Sequence, residues 1–181
     1  DFVTMAKGVA SGYAAIACMV TTEEVFEMFK DAPEDPMDYF RDISTFGGCT
    51  AGPAAAIENM AIIEEEGLLA NTTRMGARLM HNLRDLQERH AVIGDVRGKG
   101  LFAGAELVAD LTTKEPAEEK RVQAVVADCM KQGVIVGATN RSVPGFNNTL
   151  CFSPALIATE ADIDTLTDAL DGALQRVFGV A

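Results

Sequence analysis

The sequence predicts an α/β chain whose second half is a small α+β unit, and three observations carry that prediction. Apolar runs of strand length stand at residues 2–6, 16–20, 92–96 and 101–108. Elsewhere apolar residues recur at three-and-four spacing, in Leu68, Met75, Leu79, Leu83 and Leu86 and again in Ile163, Leu166, Leu170, Leu174 and Val177, the pattern of helices with one buried face. Apolar residues make up 48% of the 181 and charged residues 23%, the balance of a globular chain rather than a disordered one.

The first run ends in Lys7-Gly8. Gly8 with Ser11-Gly12 supplies the punctuation that stops a strand, so residues 2–6 read as a buried strand with an amine at its mouth. Two readings of Lys7 stand at this point. A lysine at a strand end ordinarily snorkels to water. Desolvated, the same amine gives up its proton more readily and becomes a Schiff-base nucleophile toward an aldehyde.

Residues 16–20 read as a second buried strand, and Thr21 with Glu24 three positions on predicts a capping box opening a helix through Phe29. Residues 31–42 contain Pro33 and Pro36 and no periodicity, so they read as an irregular excursion. Ser44-Thr45-Phe46-Gly47-Gly48 then leads through small residues into a helical run from Ala54. Such a segment is either plain turn chemistry or a place where free amides and a positive helix end meet an anion.

Gly67 is predicted to break that helix near Glu66, and a long amphipathic helix follows from Leu68. Its charged residues Arg74, Arg78, Arg84, Asp85, Glu88 and Arg89 read as a solvated face. The pattern then changes to short elements. A hairpin turns at Gly98-Lys99-Gly100, a helix spans 118–132 and stops at Gly133, and strands are expected at 134–136 and 149–152. Residues 139–148 form a polar loop carrying Arg141, and Thr159 with Asp162 caps the last helix.

Acidic residues outnumber basic ones 27 to 15, a formal charge of −12 that repels a phosphate backbone, so nucleic acid is not expected as a partner. No apolar stretch approaches the roughly 20 residues that cross a bilayer, and no basic-then-apolar leader is seen, so no membrane is expected and the expected compartment is the cytoplasm. Cys18, Cys49, Cys129 and Cys151 lack the paired spacing of a zinc site or redox pair and read as buried thiols. His81 and His90 are too far apart on one helix to share a metal, so none is expected.

Four motifs then fall in a recognisable order: Asp1-Phe2-Val3-Thr4-Met5-Ala6-Lys7-Gly8, Ser44-Thr45-Phe46-Gly47-Gly48, Glu64-Glu65-Glu66-Gly67-Leu68 and Gly94-Asp95-Val96-Arg97-Gly98-Lys99-Gly100-Leu101. With Pro154-Ala155-Leu156-Ile157, Thr159 and Asp162-Ile163-Asp164 closing the chain, the sequence resembles the class III aminotransferases, enzymes of fold type I that use pyridoxal 5'-phosphate. The resemblance covers essentially the whole length. It implies that residues 1–67 are the C-terminal part of a pyridoxal-phosphate-binding large domain, 68–90 a linking helix and 91–181 a small C-terminal α+β domain. It implies further that Lys7 is the Schiff-base lysine and that Thr45, with Ser44 beside it, binds the cofactor phosphate, in the partner subunit's site of a homodimer or higher homo-oligomer with shared active sites.

Residues 140–148 and 41–53 are similar to the branch of that family acting on a small ω-amino acid or aminosulfonate (taurine, β-alanine type) with pyruvate as acceptor, so the partners implied are a small amine and a keto acid. Arg141 is then expected to grip the donor's distal anion, since a guanidinium offers two parallel hydrogen bonds to a sulfonate or carboxylate. Many relatives carry an arginine nearer the strand, where Gly137 stands here. The family's glycine-rich phosphate loop, ring-stacking aromatic and ring-nitrogen aspartate normally precede the lysine, so the chain is expected to be about the C-terminal part of an aminotransferase. Two alternatives stay open: a non-catalytic fragment or dimerisation module, and a relative that keeps the cofactor but works as a mutase or racemase.

Overall fold

The computed structural model describes residues 1–29, 40, 42–140 and 143–179. The chain divides into two compact units, Asp1–Glu66 and Gly67–Ala181.

In the first unit, β1 (Phe2–Ala6) runs antiparallel to β2 (Ala17–Thr21), pairing Phe2 with Thr21 and Ala6 with Ala17. These two strands pair only with each other among the described residues. Both were expected to be buried; instead Phe2, Val3, Met5, Met19 and Val20 are exposed, since among the described residues the two strands pair only with each other and a two-stranded ribbon alone does not cover its faces. The expected Thr21–Glu24 capping box is also absent. Thr21 is the last residue of β2, and its hydroxyl is donated across the ribbon to the Asp1 carbonyl at 2.9 Å, so α1 (Glu23–Glu27) starts after Thr22 without a side-chain cap.

The 15-residue helix α2 (Ala51–Glu65) presents a face of small residues, Gly52 and Ala56, both buried. A Cβ on Gly52 would stand 3.3 Å from the Ala15 carbonyl oxygen, a tight contact, so glycine lets the first turn of α2 lie this close to the loop that precedes β2 without that loop giving way by a few tenths of an ångström.

The second unit holds α3 (Leu68–Arg89), the hairpin β3 (Ile93–Lys99) and β4 (Phe102–Leu107), α4 (Glu119–Lys131), β5 (Gly137–Ala138), β6 (Thr149–Phe152) and α5 (Glu160–Phe178). Its sheet has the order β3-β4-β6-β5 and every neighbouring pair is antiparallel. The predicted helical stripes meet here. Leu79, Leu83 and Leu86 of α3, Val122 and Val125 of α4, and Ile163, Leu170 and Leu174 of α5 close over Ala105 and Leu107 of β4 and Leu150 and Phe152 of β6. Each fully buried leucine contributes roughly 1.5–3 kcal/mol, so this cluster dominates the stability of the unit.

The predicted box at α5 is present: the Thr159 hydroxyl accepts from the Asp162 amide and the Asp162 carboxylate accepts from the Thr159 amide at 2.8 Å. Gly133 stops α4 at φ +83°, as its sequence position predicts. The strand expected at 134–136 begins later. The Val134 amide is still bonded to the Cys129 carbonyl at the helix end, and pairing with β6 starts only at Gly137.

The charged side of α3 is not merely solvated. Arg78 donates from Nε and Nη2 to the two carboxylate oxygens of Asp164 at 2.8 and 2.6 Å, and Asn82 donates to both Asp164 and Thr167. At the end of α3, Arg89 donates to Asp171, which also bonds the buried ring of His90. A helix face that touches a second helix recruits its long polar side chains to that partner. The thiols differ from expectation as well: Cys129 is buried, Cys18 and Cys151 are half-buried and Cys49 is exposed at the turn before α2.

Candidate active site around Lys7

β1 delivers the chain directly into a short 3-10 turn, Lys7–Ala10, and Lys7 is its first residue. The backbone there is unusual. Lys7 has φ +52°, Ser11 φ +50° and Gly12 φ +77°, so two residues with side chains occupy the left-handed region. Each such residue costs roughly 1–2 kcal/mol relative to a right-handed one, which persists only where the surroundings over-determine it.

What fixes the turn can be read from its hydrogen bonds. The Gly12 amide donates to the Lys7 carbonyl at 3.3 Å, Ser11 to Gly8 at 3.0 Å and Tyr13 to Ala10 at 3.0 Å. From α2, the Asn59 side-chain amide donates to the carbonyls of Gly8 at 3.2 Å and Val9 at 3.1 Å. Among the described residues of this unit, Ala10 and Ala56 are the buried hydrophobic side chains. The Lys7 turn therefore lies on the small-residue face of α2. The Lys7 side chain is exposed, and its amine has no hydrogen-bond or ion-pair partner among the described residues.

Ser44 and Thr45 stand in the turn that leads toward α2, closed by the Gly47 amide on the Ser44 carbonyl at 3.0 Å. The Ser44 amide and hydroxyl both donate to one oxygen of Asp42, and this bonding, first of all from the hydroxyl, holds the Asp42 carboxyl below the usual 3.8. Thr45 is exposed, and its hydroxyl has no partner among the described residues. α2 itself opens without a side-chain cap and without an acidic residue in its first turn, which leaves its amide end free of competing negative charge.

The structure brings Lys7, Ser44 and Thr45 into one unit, with α2 as common frame: its start follows the Thr45 turn and its middle is bonded to the Lys7 turn. No hydrogen bond joins Lys7 to either hydroxyl among the described residues. Arg141 lies outside the described residues. Asn59 escaped the sequence reading; its one signal is a carboxamide in the middle of an otherwise aliphatic and acidic helix.

These groups suit pyridoxal phosphate chemically. A free primary amine is what an aldehyde requires, and a turn of hydroxyls and amides at a helix start is what a dianionic phosphate requires. Among the described residues no cluster of His, Cys, Asp or Glu could hold a metal ion, and no helix is long and apolar enough to cross a membrane.

Residues 1–174 match the family model for aminotransferase class-III. The hypotaurine/taurine–pyruvate aminotransferase of Paracoccus denitrificans is 76% identical over 98% of this chain, and the taurine–pyruvate aminotransferase of Rhodobacter capsulatus 74% identical over 98%. A crystal structure of a Bacillus anthracis aminotransferase superposes with a TM-score of 0.91 at 37% identity over 97% of the chain. In each comparison the chain spans 39% of the relative's length. The ordered motifs, the mixed helix-and-sheet architecture and these matches agree: the chain belongs to the class-III aminotransferases, a pyridoxal-phosphate-dependent family.

Proposed function

We propose that the whole protein transfers an amino group from a small aminosulfonate or ω-amino acid of the taurine or β-alanine type to pyruvate. The observation that carries this reading is the 76% identity, across nearly all of the chain, to a hypotaurine/taurine–pyruvate aminotransferase. Bound pyridoxal phosphate supplies an electron sink for the bond broken at the donor carbon.

The chain's own residues take the remaining roles. Lys7 would hold the cofactor through Nζ, and Nζ, when free, would serve as base for the proton on the donor's amine-bearing carbon. The turn that carries it, set on α2, limits where that nitrogen can reach. The Thr45 hydroxyl takes an oxygen of the cofactor phosphate, in the partner subunit's site of a homodimer, and Ser44, with its hydroxyl on Asp42, shapes the turn that presents Thr45. Arg141 takes the donor's sulfonate or carboxylate with two parallel hydrogen bonds. The same reading makes the protein a cytoplasmic enzyme with a small amine and a keto acid as its partners.

Borohydride reduction of the full-length protein loaded with pyridoxal phosphate, followed by peptide mapping, is expected to leave the pyridoxyl group on Lys7. Incubation with taurine and pyruvate is expected to yield alanine. An adduct at another lysine overturns the assignment of Lys7. A stable dimer that takes no adduct supports instead a non-catalytic module, and loss of the donor amine without alanine points to internal rearrangement rather than transfer.

A further inference from the structure

The turn that carries Lys7 is held by one side chain from outside it. Asn59 sits in the middle of α2, half-buried, on the same helix face as Gly52 and Ala56. Its side-chain amide reaches two successive carbonyls, Gly8 at 3.2 Å and Val9 at 3.1 Å. Both partners are acceptors, so only the NH2 end of the carboxamide can face them, and aspartate in the same place would set a carboxylate against two carbonyl oxygens. Mid-helix asparagine is a poor helix former, because its side chain competes for backbone hydrogen bonds. Here the side chain is used for an anchor instead.

The anchored residues follow directly on Lys7, whose φ of +52° is one a side chain disfavours. The other non-glycine left-handed residue in the turn is Ser11, whose amide bonds the same Gly8 carbonyl that Asn59 holds. Releasing that carbonyl frees both ends of the turn to relax toward ordinary φ values, and the direction in which the Lys7 side chain leaves the backbone changes with them.

We propose that Asn59 is a positioning residue for Lys7: by clamping the Gly8 and Val9 carbonyls to α2, it keeps the lysine in the left-handed conformation from which its amine meets the cofactor. This rests on the reading of Lys7 as the cofactor lysine. It assigns to α2 a role in the amine chemistry that none of the motif residues has.

The test uses the full-length protein, stripped of cofactor, in four forms: wild type, Asn59→Asp, Asn59→Ala and Glu58→Gly. The last weakens the same helix at an exposed neighbour that makes no hydrogen bond or ion pair to the turn. Two quantities are read: the rate at which added pyridoxal phosphate is captured, followed by visible absorbance, and the pH midpoint of that absorbance once bound. Loss of both donors is expected to slow capture by about tenfold or more in N59D and N59A and to move the pH midpoint, with Glu58→Gly at the wild-type values for both. Should N59D fail to fold, the comparison of N59A with Glu58→Gly decides alone. If the Asn59 variants capture the cofactor at the wild-type rate with an unchanged midpoint, Asn59 is a packing residue and the inference fails. Peptide mapping of the reduced wild type separates the two failures: an adduct on Lys7 with unaffected Asn59 variants overturns this inference alone, whereas an adduct elsewhere overturns the reading beneath it.

Discussion

Replacing Gly76 with alanine sets helix propensity against packing, and the structure says which wins. Gly76 lies inside α3, where glycine is about 1 kcal/mol less favourable than alanine, so from the helix alone Gly76→Ala stabilises. In the fold, a Cβ at Gly76 would stand 2.4 Å from the Gly100 carbonyl carbon and 2.5 Å from its Cα and oxygen. Ordinary contacts begin at 3.4 Å, so the hairpin turn must retreat by 3.4 − 2.4 = 1.0 Å. It has little room to do so. Gly100 is in the left-handed region at φ +57°, and Lys99 and Phe102 on either side of the turn are paired.

Overpacking against backbone costs about 1–3 kcal/mol and here sits at the upper end, so after the helix gain the net loss is about 2 kcal/mol, or roughly 4–8 °C in Tm for a chain of this size. Gly172→Ala in α5 is the matched comparison. Its Cβ meets only the end of the Arg176 side chain, at 3.0 Å, which can swing aside. Arg176 bonds Asp128 at an exposed site where solvent screens the pair and its loss costs little, so G172A is expected to be neutral or slightly stabilising. Thermal unfolding followed by far-UV circular dichroism measures both. A G76A variant with a Tm at or above that of the unmodified chain would refute the reasoning.

Three further outcomes follow from the second unit. Leu83 is fully buried, so Leu83→Ala is expected to lose about 2–5 kcal/mol in urea unfolding, and a loss below 1 kcal/mol would mean that the core collapses around the gap. The Asp164 carboxyl is held below the ordinary 3.8, first of all by its hydrogen bond from Arg78; the stability this contributes is present above that value and lost as pH falls through the lower folded one. Asp164→Asn is therefore expected to be less stable than the unmodified chain near neutrality and equal to it in strong acid, and a gap that persists at the lowest pH contradicts the linkage. Burial pushes the Cys129 thiol up to about 11, so iodoacetamide at neutral pH is expected to label exposed Cys49 first and Cys129 only on unfolding, as read by mass spectrometry of timed samples.

The two units were not equally legible in the sequence, and the reason is physical. In the second unit the helices and sheet bury one another, so periodicity alone marks the core residues: Leu79, Leu83 and Leu86, then Ile163, Leu170 and Leu174, are the residues on which the core closes. Where a local signal misled, a competing bond explains it. Thr21 had the spacing of a cap, but its hydroxyl was taken by the Asp1 carbonyl in the ribbon. Arg78 and Arg89 had the look of a solvated face, but α5 brings Asp164 and Asp171 to them, a pairing between residues more than eighty positions apart that no local pattern encodes.

The first unit is the reverse case. Among its described residues the buried side chains are small, Ala10 and Ala56, and large apolar ones such as Phe2, Val3, Met19 and Val20 are exposed, so periodicity has almost no core to report there. What the sequence carries there is chemistry in order: a lysine at a strand end, then a hydroxyl and glycine turn before a helix. Such motifs name the residues that react but not those that hold them. Asn59 shows the difference. It lies about fifty residues from Gly8 and Val9, and its one local mark, a carboxamide among aliphatic and acidic neighbours, names no partner until the fold lays the Lys7 turn across that helix. A left-handed lysine is not stable by its own preferences, so the turn has to be held from elsewhere, and only the three-dimensional arrangement shows by what.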